Sequence, residues 1–314
     1  MERRATASRS APGRGTALLA AVLLAAAVAA GGCGPGPDER SPAESKGSAS
    51  AGERVGVVVS VPPLAWFAEA VGSDLVEVTV LVPPGASPAM YEPTHRQLRR
   101  LDEAALWVTV GHPRFPFDAA WGERLTAGRP GLTTVPAGAG CGRRPGDPHL
   151  WTSPACARQM VDRIARALEE VRPAAADSIR AGRRRAWATV AAVDRDLREM
   201  LAPHRGRAFL VFHPALGYLA RDYGLEQMAI QRGATEPNPA ELDRIVRRAR
   251  DRGIRHVFVQ PQFSREAAAL VADALPGGRV AAVDPLARSW PESMRSVGRA
   301  LAEAFASRSP GGSR

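Results

Sequence analysis

Short apolar runs alternate with amphipathic stretches along residues 55–306, and this alternation leaves few folds open to the chain. Runs such as 55–61 and 105–110 predict buried strands. Pro154–Val171 places Met160, Ile164 and Leu168 on one face and predicts a helix. Strands separated by helices are typical of parallel βαβ units. The pattern therefore predicts an α/β fold with parallel sheets flanked by helices.

One segment interrupts the alternation. Residues 174–202 contain no proline and a single glycine, Gly182, so residues 173–202 predict one helix about 44 Å long at 1.5 Å per residue. Its many arginines predict a solvated face. Strands and helices alternate again after Pro203. We therefore predict an α/β lobe at 54–172, a rigid linking helix at 173–203 and a second α/β lobe at 204–314.

The N-terminus has the pattern of an export signal. Four arginines precede an apolar run at 17–30, which at 14 residues is too short to span a bilayer. The small residues before Cys33 resemble a bacterial lipobox. We predict a signal peptide at 1–32 and lipidation of Cys33, with ordinary secretory cleavage as the alternative. Localisation would then be extracytoplasmic, with a lipid anchor as the only contact with the membrane.

Residues 34–53 contain no valine, isoleucine, leucine or aromatic residue. Such a segment cannot bury apolar surface, so 33–53 is predicted to be a flexible tether. Export also allows Cys141 and Cys156 to form a disulfide. Closing a loop with 14 residues between the two cysteines stabilises a fold by roughly 3 kcal/mol. The alternative is that both thiols are free.

The residue inventory excludes several classes of protein. Of 42 basic residues only one, Lys46, is a lysine, and it lies in the predicted tether. A P-loop, a pyridoxal enzyme and a kinase all require a lysine within the fold. The HExxH, CxxC and GxSxG motifs are absent. The net charge is +10, but the arginines lack interleaved aromatic residues, which argues against nucleic acid as a partner.

Three residues whose side chains could bind a ligand lie at or near the ends of predicted strands. His213 follows the strand at 207–212, Asp284 follows the strand at 279–283, and His149 lies in a loop after a weaker strand at 132–135. Ligands bind at the carboxyl ends of parallel strands, and imidazoles with a carboxylate suit a divalent metal. The alternatives are a local hydrogen bond for His149 and helix capping for the other two. Three further histidines are predicted to be surface residues: His112, His204 and His256.

Six motifs then occur in a characteristic order: LVPPGASP with YEPT (81–94), DPHLW (147–151), FHPALGYLARDYGL (212–225), EPNPAEL (236–242), VQPQFS (259–264) and DPLARSW (284–290). With them the chain resembles the zinc- and manganese-type solute-binding proteins of bacterial ABC importers. The resemblance implies two α/β lobes, a rigid linking helix, a divalent ion between the lobes and delivery to a membrane permease. It also implies that His149, His213 and Asp284 are metal ligands.

The chain departs from that family pattern in three places. Ala89 stands where the family usually has a histidine, Gln260 stands where relatives often have glutamate, and the histidine-rich loop common before DPH is missing. The fourth donor is then His95, a second oxygen of Asp284 or a water molecule. Two imidazoles with one carboxylate suit zinc, which we rank ahead of manganese and iron.

We therefore predict a monomeric zinc-binding lipoprotein that supplies an ABC permease and is not an enzyme. Two alternatives from other classes remain. One is a surface adhesin or a binder of a non-metal ligand on the same fold, which the loss of histidine at Ala89 favours. The other is a zinc hydrolase, for which Glu92 is the nearest candidate general base.

Overall fold

The computed structural model describes residues 54–142, 146–231, 235 and 237–307. The predicted signal peptide, Cys33 and the predicted tether lie outside these residues. The strands and helices follow in this order: β1 Val55–Val59, α1 Pro62–Gly72, β2 Val76–Val80, α2 His95–Asp102, β3 Leu106–Thr109, α3 Pro116–Thr126, β4 Thr133–Pro136, α4 Pro154–Val171, α5 Ala176–Leu201, β5 Ala208–Val211, α6 Gly217–Tyr223, β6 Glu226–Ala229, α7 Pro239–Asp251, β7 His256–Val259, α8 Arg265–Asp273, β8 Arg279–Ala282 and α9 Trp290–Ala306.

The strands form two parallel sheets within the described residues. The first lobe carries the sheet β2-β1-β3-β4, and the second lobe carries β6-β5-β7-β8, so both lobes have the same strand order. This confirms the predicted two-lobe α/β fold. In each sheet the first strand in the chain, β1 or β5, has the next strand on one side and the strand after that on the other side. A crevice therefore opens at the carboxyl ends of β1 and β3, and a second one at the ends of β5 and β7.

The long helix α5 packs against both lobes. It has 26 residues, about 39 Å at 1.5 Å per residue, and short 3-10 turns flank it at Pro173–Ala175 and Ala202–His204. Gly182 lies directly against the carbonyl of Val71 in α1, where a Cβ would overlap the oxygen. Near its other end, Leu197 contacts Gly298 of α9. The absence of side chains at these glycines lets the helices approach closely.

Helix α3 was not predicted. Pro116 stands in its first turn. The fixed φ of proline suits this position, and its missing N–H costs no hydrogen bond because the first N–H groups of a helix have no acceptor within the helix. Phe117 and Leu125 are the buried residues of α3, so the segment lacks the apolar stripe that identifies helices. By contrast α4, which buries Met160, Ile164 and Leu168, has the predicted bounds. None of the helices in the described ranges is long and apolar enough to cross a membrane.

Candidate metal centre

A cavity of about 800 Å³ lies between the two lobes. The first lobe contributes the loop at 87–90, the start of α3 and the loop at 146–149, and the second lobe contributes the loops that follow β5 and β7. Both His149 and His213 line this cavity. The carboxyl end of β5, which His213 follows, is one side of the crevice in the second sheet.

The two histidines face one another at close range in the cavity wall. The Nε2 atom of His149 lies 3.3 Å from the Nε2 atom of His213, and the ring planes are inclined at 81°. Residues 64 positions apart in the chain are therefore brought together from opposite lobes. Two of the three predicted metal ligands share one site in the structure.

Asp147 orients the ring of His149. Its Oδ1 atom lies 2.8 Å from Nδ1 of His149 and also accepts the backbone N–H of His149 at 3.0 Å. The side chains are largely buried, with 13% of His149 and 14% of Asp147 exposed. When Nδ1 donates to the carboxylate, Nε2 carries the lone pair that faces the cavity. This is the arrangement that metal-binding histidines use.

Two buried glutamines hold His213. Gln260, directly after β7, donates from Nε2 to the carbonyl oxygen of His213 at 2.8 Å and accepts its N–H at 3.4 Å. Gln231, two residues after β6, places Oε1 at 3.4 Å from Nδ1 of the imidazole. From the sequence, Gln260 was identified only as a departure from the family pattern, and Gln231 was not identified. Their positions at strand ends were the available signal.

Asp284 lies in a loop that is tied to the His149 loop. The indole of Trp151 donates to the carbonyl of Pro285 at 2.8 Å, and the indole of Trp290 donates to the carbonyl of Trp151 at 2.7 Å. Burial raises the pKa of the Asp284 carboxyl, although the N–H of Leu286 donates to it at 3.0 Å. Across the described ranges, no three His, Cys, Asp or Glu side chains form a group that could hold a metal. Asp284 as the third ligand therefore stays a prediction.

The structure places the other histidines away from this pair. His95 begins α2, which Thr94 caps, and it is exposed and not among the residues that line the cavity. The prediction that His112 is a surface residue is wrong, because it is 8% exposed and its Nδ1 accepts the N–H of Arg114 at 3.1 Å. His204 and His256 are half-buried, and desolvation lowers the pKa of both.

Cys141 and Cys156 are joined by a disulfide in the structure. Their Cα atoms lie 5.5 Å apart, within the usual range for such a bond, and both residues are buried. The bond links the segment before His149 to the first turn of α4, so the loop that carries this histidine is closed at its base.

The family model described as the zinc-uptake complex component A, periplasmic (ZnuA), matches residues 57–304, most of the chain. This chain belongs to the ZnuA family. The matched region includes both lobes, the linking helix and the two facing histidines. ZnuA proteins are binding components of an uptake complex, so the chain is not an enzyme and the hydrolase alternative is wrong.

Two ZnuA proteins are similar to this chain in sequence. The high-affinity zinc uptake system protein ZnuA of Paracoccus denitrificans (strain Pd 1222) is 32% identical over 166 residues, which are 50% of this chain and only 51% of that protein. The ZnuA protein of Yersinia pestis is 26% identical over 240 residues, covering 66% of this chain and 76% of its own. The chain thus spans about half the length of the Paracoccus relative that it matches.

Solved structures give the same fold. A crystal structure of ZnuA superimposes with a TM-score of 0.77 at 32% identity, covering 81% of this chain and 100% of the other. The laminin-binding protein Lmb of Streptococcus agalactiae, described as a bifunctional protein with adhesin and metal-transporting activity, superimposes with a TM-score of 0.73 at 23% identity, covering 81% of this chain and 100% of its own. At that identity the second likeness concerns the fold alone.

Proposed function

We propose that this chain captures zinc between its lobes and delivers it to an ABC-type permease. The distance of 3.3 Å between the Nε2 atoms of His149 and His213 carries the proposal. Two nitrogen ligands, each about 2.0–2.1 Å from a tetrahedral zinc ion, are about 3.3–3.4 Å apart. The histidines have the spacing that a shared zinc ion requires.

The hydrogen bonds of the two rings support the same function. Both Nδ1 atoms face oxygen acceptors, the carboxylate of Asp147 and the amide oxygen of Gln231. When both Nδ1 atoms donate, two Nε2 lone pairs face each other. The two Nε2 atoms lie within hydrogen-bond distance, so a cation between them would take the place of a shared proton.

We assign the third position to Asp284 and the fourth to a second oxygen of Asp284 or to water. His95 is exposed and outside the cavity lining, which argues against it as a donor. Imidazole ligands favour zinc over manganese, which prefers oxygen donors, and we rank iron with manganese behind zinc. The names of the zinc uptake proteins that match the chain support this choice.

We further propose that the mature protein is a monomer anchored through lipidated Cys33 outside the cytoplasm, with permease subunits as partners. The AdcA protein of Streptococcus pneumoniae, which matches this chain at 24% identity, is described as a zinc-binding lipoprotein. That likeness and the lipobox pattern are the support for the anchor. The first 53 residues lie outside the described part of the chain.

A second candidate function is adhesion on the same fold. The fold shared with a streptococcal adhesin and the absence of a donor at Ala89 favour it. Measuring the metal content of protein purified without chelators separates zinc capture from adhesion by a chain that has lost its metal. We expect about one zinc ion per chain, retained by His95→Ala and lost by His149→Ala and by His213→Ala. Metal-free protein that still takes up no zinc when the ion is added would support adhesion instead.

A further inference from the structure

The two facing histidines are carried by short segments that lead directly into helices. His149 is followed by a 3-10 turn at Leu150–Thr152 and then by Ser153, the N-cap of α4. His213 is followed by a tight turn, in which the N–H of Ala215 donates to its carbonyl oxygen at 2.8 Å, and then by α6. The position of each ring therefore depends on the helix that follows it.

The segment between His149 and α4 is held by its own hydrogen bonds. The carbonyl oxygen of His149 accepts the Thr152 N–H at 3.1 Å and the Thr152 hydroxyl at 2.9 Å. The hydroxyl oxygen of Ser153 accepts the Cys156 N–H at 3.3 Å, and both Thr152 and Ser153 are fully buried. A shift of Ser153 would therefore move His149 with it.

Asp222, near the end of α6, joins this segment to the one that carries His213. Its Oδ2 atom accepts the hydroxyl hydrogen of Ser153, so the bond runs from the first lobe to the second. The Asp222 side chain is only 18% exposed, and hydrogen bonds to charged acceptors are stronger than those to neutral ones. Because α6 begins four residues after His213, a short path through one hydrogen bond connects the two rings.

Arg221, the neighbour of Asp222, fastens α6 to the other end of the loop that carries His149. Its Nη1 atom donates to the carbonyl oxygen of Gly142 at 3.1 Å, and its Nε atom donates to Oδ1 of Asp222 at 2.8 Å. Gly142 follows Cys141, one end of the disulfide that closes this loop. Helix α6 is thus hydrogen-bonded to the His149 loop near both ends of the loop.

We propose that Asp222 is a positioning residue for the metal centre. Through Ser153 it holds the His149 ring at the separation from His213 that a shared zinc ion requires, without touching the ion. Two ligands that are already held at the right separation bind more tightly, because binding does not have to order them. The inference rests on the proposed zinc-binding function and adds a residue to which the motif at 212–225 gave no role.

The test is the zinc affinity of the mature protein, measured by competition with a chromophoric chelator. We expect Asp222→Ala to weaken zinc binding by about three- to tenfold, less than the loss of about 10- to 100-fold that is usual when a ligand's own hydrogen-bond partner is removed. Asp222→Asn keeps an oxygen acceptor for Ser153 and should recover most of this loss.

Asp196→Ala is the matched control. Asp196 pairs with Arg295 at 2.7 Å, its side chain is 31% exposed, and it is not among the residues that line the cavity. Its substitution removes an ion pair between helices without touching the segments that carry the histidines. We expect its zinc affinity to stay within about twofold of the parent protein, well below the effect of losing a partner of a ligand.

Two further measurements separate positioning from a general loss of stability. Cobalt(II) in place of zinc absorbs visible light with an intensity that depends on its coordination geometry, so we expect Asp222→Ala to change the cobalt spectrum and Asp196→Ala to leave it unchanged. A double-mutant cycle with Ser153→Ala isolates the bond from the lost cap of α4. The double variant should lose less affinity than the product of the two single losses.

The outcomes separate the two proposals. Zinc affinity of Asp222→Ala within twofold of the parent protein, with an unchanged cobalt spectrum, overturns the positioning role and leaves the zinc function intact. An equal loss in Asp196→Ala, or independent effects of Asp222 and Ser153 in the cycle, also overturns it. If Asp222→Ala does not fold, Arg221→Gln decides, with a smaller loss expected and an unchanged affinity contradicting the role. A parent protein that binds no zinc contradicts the proposed function and, with it, this inference.

Discussion

At the scale of single residues, Asp147 decides which nitrogen of His149 is available to an ion. Its carboxylate lies 2.8 Å from Nδ1 and leaves Nε2 toward His213. A carboxylate in this position fixes the ring and increases the basicity of the ligating nitrogen. Asp147 thus contributes to metal affinity without a direct bond to the metal.

We expect Asp147→Ala to weaken zinc binding by about 10- to 100-fold, the usual effect of losing such a partner. Competition against a chromophoric chelator measures the affinity. Asp243→Ala is the matched control, because Asp243 is exposed and its ion pair within the described part of the chain is a 3.9 Å contact with Arg247. An affinity for Asp147→Ala within twofold of the parent protein would contradict the role given to this carboxylate.

The sequence identified the facing histidines because each belongs to a motif, and His213 also stands next to a strand end. Gln260 also belongs to a motif and both glutamines follow strands, but their contacts with His213 were not identifiable from the sequence. Gln260 acts on His213 only because β5 pairs with β7, and a sequence does not state which strands are neighbours. His112 was placed at the surface from its glycine and proline neighbours, although tertiary contacts bury it.

At the scale of secondary structure, Asp118 ties α3 to the first sheet. It accepts hydrogen bonds from the Ser60 hydroxyl at 2.5 Å and from the Val110 N–H at 2.8 Å, at the carboxyl ends of β1 and β3. It therefore lies at the crevice of the first sheet, while His213 lies at the crevice of the second. The helix was missed in the sequence because this anchor is a tertiary contact and not a periodic pattern.

Burial raises the pKa of Asp118 from 3.8 to about 6, although the hydrogen bonds from Ser60 and Val110 oppose the shift. The folded state then holds a proton that the unfolded state has released, so this group's contribution to stability falls as pH rises from about 4 to about 6. The expected loss is about 2–3 kcal/mol. Urea unfolding gives the free energy of unfolding at pH 4 and at pH 7. The decrease between the two pH values should be larger in the parent protein than in Asp118→Asn by this amount. Equal pH dependence in both proteins would refute the shift.

The contact between α5 and α1 leaves no room for a side chain at Gly182. We expect Gly182→Ala to destabilise the fold by about 1–3 kcal/mol, since the added methyl overlaps the Val71 carbonyl and pushes the helices apart. Gly122→Ala in α3 is the control. A Cβ there meets no atom within 4 Å, so helix propensity should make the change neutral or stabilising by up to about 1 kcal/mol. Urea denaturation compares the two, and equal midpoints would contradict the packing argument.

At the scale of the whole molecule, the two lobes are held by more than the linking helix. Residues of both lobes and of α5 share one buried apolar cluster. Arg295 of α9 pairs with Asp196 of α5 at 2.7 Å, and Trp290 packs against Trp66 and Phe67 of α1. Because α9 follows the second sheet in the chain and packs on the first lobe, opening a hinge would break these contacts.

We therefore expect zinc capture to shift loops and to tilt the lobes slightly, without wide closure. Small-angle X-ray scattering of metal-free and zinc-loaded protein should give superimposable curves. Calcium addition, which offers an oxygen-preferring ion, is the control for ionic effects on scattering. A decrease of several ångströms in the radius of gyration on adding zinc alone would show a hinged closure and contradict the stiffness argument.

The two-lobe architecture was predictable because apolar runs, prolines and one uninterrupted helix are local signals. A site between the lobes was also predicted, but the size of the cavity there was not, because its volume depends on how packed elements meet.

The central claim is that His149 and His213 hold one zinc ion between the lobes. Anomalous diffraction at the zinc edge from crystals of the zinc-loaded protein tests it directly. The expected result is one peak about 2.0–2.1 Å from both Nε2 atoms. A zinc peak at any other place, with the two rings still 3.3 Å apart and no metal between them, would contradict the account.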